Sequence, residues 1–166
     1  YGKIDIPLAA GSSVAIHVAN AVVVVSALLL GPVEGGIAGA IGLSIADIMD
    51  PRYIASAPKT FLLKFCIGWI SGTLAKKMNV SKEKDAKKAA LNTALCAAAG
   101  LGFNVIFDPI IGYLFKRFIL GIEADAAAII LAWSGGVTAF NAIICIFVAV
   151  ILYMALRKPF ANMNKS

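Results

Sequence analysis

Long apolar runs separated by short polar connections dominate this chain. The runs cover residues 15–30, 33–49, 60–74, 89–120 and 124–156. Val22 to Val25 are β-branched, but the length of that run and its lack of turns favour a helix over a strand. Each run, with its flanks, approaches or exceeds the roughly 20 residues needed to cross a bilayer. Gly31-Pro32 and Asp50-Pro51 punctuate the first two, and Asp108-Pro109 interrupts the fourth. The pattern predicts helices over about 15–31, 33–50, 60–77, 87–120 with a kink near 109, and 124–156. All fall in a single integral membrane domain over residues 1–166. Residues 1–13 read differently. Pro7 and Gly11 argue against a helix, and alternation around Ile4, Ile6 and Leu8 permits an extended piece lying over the mouth of a bundle. Residues 79–88 hold the densest run of charge and read as a solvated connection, with Ser81 as the expected cap of the next helix.

Composition agrees with a bilayer as solvent. The chain is 60% hydrophobic and 14% charged, with a mean hydropathy of +0.88. Soluble domains are nearer 45–50% apolar and about 25% charged. The fold class is therefore an all-α membrane protein. The formal charge is +6, but the lysines and arginines cluster at segment ends instead of forming a basic stripe with interleaved aromatics. That excludes nucleic acid as a partner and fits orientation by positive loops. Residues 76–88 and the tail after 156 fall on one side in an alternating count, which the rule makes cytoplasmic. Residues 1–13, 50–59 and 120–125 then share the outer side. An outer start at Tyr1 implies a preceding helix, so five visible helices become six. Cys66, Cys96 and Cys145 sit in apolar segments outside any CxxC pair and read as buried fillers. Nothing calls for a cofactor or a metal.

The stretch 28–77 organises the rest. Gly35, Gly39, Gly42 and Ala46 fall on one helical stripe, and Gly68 and Gly72 form a second small pair. Such stripes let helix backbones approach closely in lipid. The same stretch carries Asp47, Asp50 and Lys64, and an intramembrane charge normally faces a partner or a cavity. Asp47 and Lys64 flank one connection, so an ion pair between neighbouring helices is expected.

The residues LLLGPVEGGIAGAIGLSIADIMD, followed by a polar turn and TFLLKFCIGWISGTLAKK, resemble the S component of an energy-coupling factor (ECF) transporter. FNAIICIFVAVILYMALRKPF resembles the last helix of that family, and IPLAAGSSVAIHVAN the loop and second-helix start that follow its first helix. The resemblance implies a six-helix bundle whose first helix precedes Tyr1. It also implies an outward-facing vitamin site and docking onto a T component driven by two ATPase subunits. The first helix often bears the Ala-xxx-Ala docking surface, which is not part of this sequence. Among S components the look is closest to the HmpT-like group, associated with pyridoxine or hydroxymethylpyrimidine. S components for pantothenate and riboflavin look similar at this level.

The family binds substrate near the outer helix ends. That geometry selects His17, Asn20, Asp47, Asp50, Tyr53, Lys64, Asn104, Trp133 and Asn141 as candidate substrate-binding residues. Each has a plainer reading. The charges can pair with each other, the asparagines can bridge helices, and His17, Tyr53 and Trp133 can sit at the membrane interface. An enzyme is disfavoured: one histidine, no HExxH and no GxSxG leave no nucleophile–base or metal set, and paired Asp47 and Asp50 rest on spacing alone. A channel wants polar residues along a whole pore, whereas these gather at one end. An autonomous small-solute transporter often shows internal repeats and broken helices, and only Gly135-Gly136 hints at one. No phosphate loop GxxxxGK[ST] is present, so a transport subunit of this kind takes its energy from a partner.

Overall fold

A computed structural model describes residues 3–7, 13–51 and 53–163. Two strands, β1 (Lys3–Pro7) and β2 (Ser13–His17), pair antiparallel with Ile4 opposite Ile16 and Asp5 opposite Ala15. Five helices follow: α1 (Ala19–Leu30), α2 (Pro32–Ile48), α3 (Ala57–Lys77), α4 (Ala86–Leu114) and α5 (Ala124–Met163). The first helix therefore starts at Ala19, not near residue 15. Residues 13–17 alternate Ser-Val-Ala-Ile-His, and their backbone pairs with β1 instead of extending the helix. His17 and Asn20 consequently do not share a helical face.

Local chemistry sets the helix ends. Gly31 adopts φ +110°, a conformation that suits glycine, and it turns the chain sharply between α1 and α2. Pro32 occupies the first turn of α2, where its missing N–H is no loss. α3 begins earlier than the apolar run suggests, with Pro58 in its first turn, and ends in Lys76 and Lys77, which suit the negative end of the helix dipole. Asp85, not Ser81, caps α4: Oδ1 accepts from the backbone N–H of Lys87 at 2.8 Å and of Lys88 at 3.4 Å. Ser81 instead lies in a 3₁₀ turn over Val80–Lys82. α4 runs through Pro109 and widens into a π-helical turn at Phe115–Ile119. α5 is continuous for 40 residues through Gly135 and Gly136, past the expected end near 156.

α4 with its π turn, and α5, are long and apolar enough to cross a membrane. Large apolar side chains such as Ile45, Leu62, Ile106, Phe147 and Ile151 are exposed, as a lipid-facing surface requires. α1 sits inside the bundle, with Val23, Val24 and Leu28 buried against Ile67 of α3, Leu101 of α4 and Cys145, Ala149 and Tyr153 of α5.

Glycines allow the first three helices to meet. A Cβ on Gly35 would overlap the backbone of Ser26 and Ala27, and one on Gly39 would lie 2.8 Å from Val23 Cγ1. These two face α1. Gly68 of α3 meets Gly36 of α2, where an added Cβ would stand 2.5 Å from the Gly36 Cα. Gly42 has nothing within 4 Å of that position, so the sequence stripe is in contact only over its first half. The bundle's other end is tied by Arg157 of α5, whose Nη2 donates to the carbonyl of Glu83 in the α3–α4 connection.

Gly68→Ala is expected to lower stability by about 1–3 kcal/mol through overpacking. Gly42→Ala is expected to raise it by up to about 1 kcal/mol by removing glycine's entropy cost in a helix. Unfolding midpoints of the two variants in detergent, compared with the parent, check both.

Candidate functional site

The α2–α3 and α4–α5 connections lie at one end of the bundle, together with the start of α1, and the polar side chains gather there. Asp108, late in α4, holds three helices together. Its Oδ1 lies 2.8 Å from Lys59 Nζ in the first turn of α3, and its Oδ2 accepts from Thr138 Oγ1 of α5 at 3.3 Å. One helical turn deeper, Lys64 Nζ donates to Asn104 Oδ1 at 3.4 Å. Asn104 precedes Asp108 by four residues, so both stand on one face of α4. Lys59–Asp108 and Lys64–Asn104 thus form two rungs between α3 and α4. Lys64 is only 8% exposed, and its contact with Asn104 is long for a charged donor.

Asp47 does not pair with Lys64 as the sequence led us to expect. It accepts from Thr60 Oγ1 at 2.5 Å, because the last turn of α2 packs against the first turn of α3. Ser44 Oγ donates to the Ala57 carbonyl at 3.3 Å in the same seam. Asp47 still lies within electrostatic reach of Lys64, alongside Asp108 and Cys145. On α5, Asn141 and Cys145 are buried and continue the face that Thr138 begins. Cys145 lies against the backbone N–H groups of Asn20 and Ala21. Asn20 is 3% exposed, and its Oδ1 has no hydrogen-bond partner among the described residues.

Asn20, Asp47, Lys64, Asn104 and Asn141 are therefore brought to one end of the bundle. The other candidates stand apart. Asp50 and Tyr53 are half-buried in the α2–α3 connection, where the Asp50 carbonyl accepts from the Tyr53 N–H at 2.9 Å. Trp133 is 56% exposed on α5. The stacked aromatic pair is instead Phe103 and Phe107 on α4, with ring centroids 4.3 Å apart. The side chain of His17 lies outside the described residues. Sequence reasoning missed Lys59, Asp108 and Thr138. Asp108 carried a usable signal, since it is an acid set within a long apolar run.

Beside these rungs a small half-open cleft of about 50 Å³ runs between the end of α4 and the start of α5. Lys59, Asp108, Tyr113, Lys116 and Ser134 supply its polar lining, and Ile130 and Leu131 its apolar wall. Polar groups converging beside an apolar wall are the usual make-up of a small-molecule site.

A family model, ECF-type riboflavin transporter, S component, matches residues 2–158. The chain belongs to this family. No curated protein and no solved structure matches it. An S component is an integral membrane transport subunit and not an enzyme. The match does not single out the HmpT-like group.

The ion pair makes a testable demand on the fold. Removing Asp108 leaves Lys59 uncompensated and brings Lys64 next to a bare like charge. Asp108→Ala is expected to cost about 2–4 kcal/mol, below the full penalty for a wholly buried pair because both side chains keep some exposure. A Lys59→Met, Asp108→Leu double variant is expected to recover most of that loss. Equal midpoints for the single and double variants in detergent unfolding would show the pair to be energetically idle.

Proposed function

We propose that this S component captures a water-soluble vitamin at the end of the bundle that holds Asp108, and delivers it inward after docking on a T component served by two ATPase subunits. Residues 76–88 and the C-terminus are placed on the cytoplasmic side, and the polar end outside. This orientation follows from the lysines of the α3–α4 connection and from Arg157 and Lys158 at the end of α5. Substrate-binding roles go to Asn20, Lys64, Asn104 and Asn141, with Asp47 and Asp108 setting the charge around Lys64. Asp50, Tyr53 and His17 remain candidates for closing over a bound solute, and the exposed Trp133 is left outside the site.

The observation that carries the reading is the unfinished hydrogen bonding of this buried end. A lysine ammonium has three donors, and Lys64 directs one at Asn104 over a long 3.4 Å. Asn20 Oδ1 accepts no hydrogen bond among the described residues. Buried polar groups normally find partners, so spare capacity on two neighbouring helices suits a ligand rich in hydroxyls and ring nitrogens. Riboflavin is the first candidate substrate, because the family's name supports it. Pyridoxine or hydroxymethylpyrimidine is the alternative, on the resemblance of the sequence to the HmpT-like group.

Native mass spectrometry of the protein with riboflavin, pyridoxine, hydroxymethylpyrimidine and pantothenate separates these readings. A vitamin adduct released on denaturation supports the proposal and names the substrate. A folded protein empty against the whole panel overturns it. Lys64→Met is expected to weaken the retained ligand about 10- to 100-fold, the value of a hydrogen bond to a charged group. Trp133→Phe is expected to leave affinity within a factor of about two, as suits an exposed side chain at a surface.

A further inference from the structure

The cleft between α4 and α5 carries more positive charge than the protein around it answers. Three lysines stand about Asp108. Lys59 pairs with its Oδ1, Lys64 lies behind it, and Lys116 lines the same cleft one helical stretch further along α4. Asp108 spends its second oxygen on Thr138. Asp47, the other nearby carboxylate, accepts from Thr60 and offsets Lys64 from the far side. Three ammonium groups therefore face two carboxylates, and the one left over is Lys116. The residue is half-buried and within electrostatic reach of Lys59 and Asp108, yet its Nζ makes no hydrogen bond or ion pair among the described residues. Glu123 and Asp125, in the following connection and the first turn of α5, are exposed and do not pair with it.

The lining beside Lys116 continues in the same chemical sense. Tyr113, one turn earlier on α4, brings a phenolic hydroxyl into the cleft. Ser134 is across from it on α5, with its Oγ proton directed to the Leu131 carbonyl at 3.1 Å. The polar lining thus offers free donors next to one carboxylate already committed. A half-buried ammonium at the edge of a membrane bundle is stabilised by a counter-charge, and the nearest protein carboxylate cannot supply a second one.

We propose that this cleft seats an oxyanion, a phosphate monoester or a carboxylate, on Lys116 Nζ, with the Tyr113 hydroxyl as a second donor and the Lys59–Asp108 pair as its wall. The anionic group belongs either to a soluble substrate or to a lipid headgroup, since a lysine near a helix end can reach headgroup phosphate along its apolar stem. The soluble arm rests on the vitamin-capture reading; the lipid arm does not.

The protein in nanodiscs of purely zwitterionic phosphatidylcholine is titrated by calorimetry with matched neutral and anionic compounds: riboflavin and its phosphate monoester, pyridoxine and its phosphate monoester, pantothenol and pantothenate. In parallel, native mass spectrometry counts phosphatidylglycerol adducts retained from mixed vesicles. In the soluble arm, the anionic member of at least one pair binds about tenfold tighter or more, as one charge-assisted hydrogen bond allows. Lys116→Gln then removes the preference while leaving the neutral member's affinity unchanged, and Lys116→Arg keeps it. In the lipid arm, neutral and anionic compounds bind alike or not at all, and Lys116→Gln loses phosphatidylglycerol adducts that Lys116→Arg retains. Absence of any Lys116-dependent anion binding in both arms overturns the proposal. Binding of the neutral vitamins in that case leaves the vitamin-capture reading intact, so the two failures are distinguishable.

Discussion

A charge placed among apolar helices has to be met where it stands, and the architecture of this bundle follows from how that is done. On insertion scales an unmet charge at a helix centre costs roughly 2.5–3.5 kcal/mol. Asp108 meets Lys59 from one helix and Thr138 from another, so a single carboxylate fixes the relative positions of α3, α4 and α5. Lys64, one turn deeper, then has to face α4, where Asn104 stands below Asp108. The directional bonds gather at one end of the molecule. At the opposite end, Arg157 of α5 reaches the Glu83 carbonyl in the α3–α4 connection.

The other half of the bundle is joined without charge. α1, α2 and α3 approach through Gly35, Gly36, Gly39 and Gly68, which bring backbones together where lipid supplies no hydrophobic drive for helices to associate. α3 belongs to both halves. Its Gly68 and Gly72 face α2 and the turn before it, while Lys59 and Lys64 face α4. A shift of α3 cannot therefore be confined to one interface. It would strain close backbone contacts on one side and lengthen charged contacts on the other. In a transport subunit this makes α3 the element through which events at the polar end are felt by the helices packed on glycine.

Much of this was readable from the residues. Runs of apolar side chains gave an all-α membrane protein, and the order of Gly-rich and Lys-bearing segments gave the S-component family that the match over residues 2–158 establishes. What sequence could not supply was partner choice. Asp47 and Lys64 flank one connection and have opposite charge, yet the rotation of α3 sends Lys64 to α4 and leaves Thr60 for Asp47. Rotation is decided by Gly68 meeting Gly36, a contact between residues 32 apart that no local pattern encodes. The first helix began late for a similar reason. Residues 13–17 are apolar enough for a helix, and it is pairing with Lys3–Pro7 that makes them a strand. Asp108 shows a different limit, because its partners Thr138 and Lys59 lie 30 and 49 residues away in the chain.

The helices are also unequal in a way that bears on the surrounding lipid. At 1.5 Å per residue, α2 with its 17 residues spans only about 25 Å, whereas α5 with 40 extends about 60 Å. A hydrocarbon layer is about 30 Å thick. α2 exposes Ile37, Ile41, Ile45 and Ile48, so its short apolar height faces outward and is not hidden in the core. Acyl chains beside α2 have to compress while those beside α5 do not. The protein is thus a wedge in the membrane's own measure of thickness, and a thicker bilayer would press on the α2 side first.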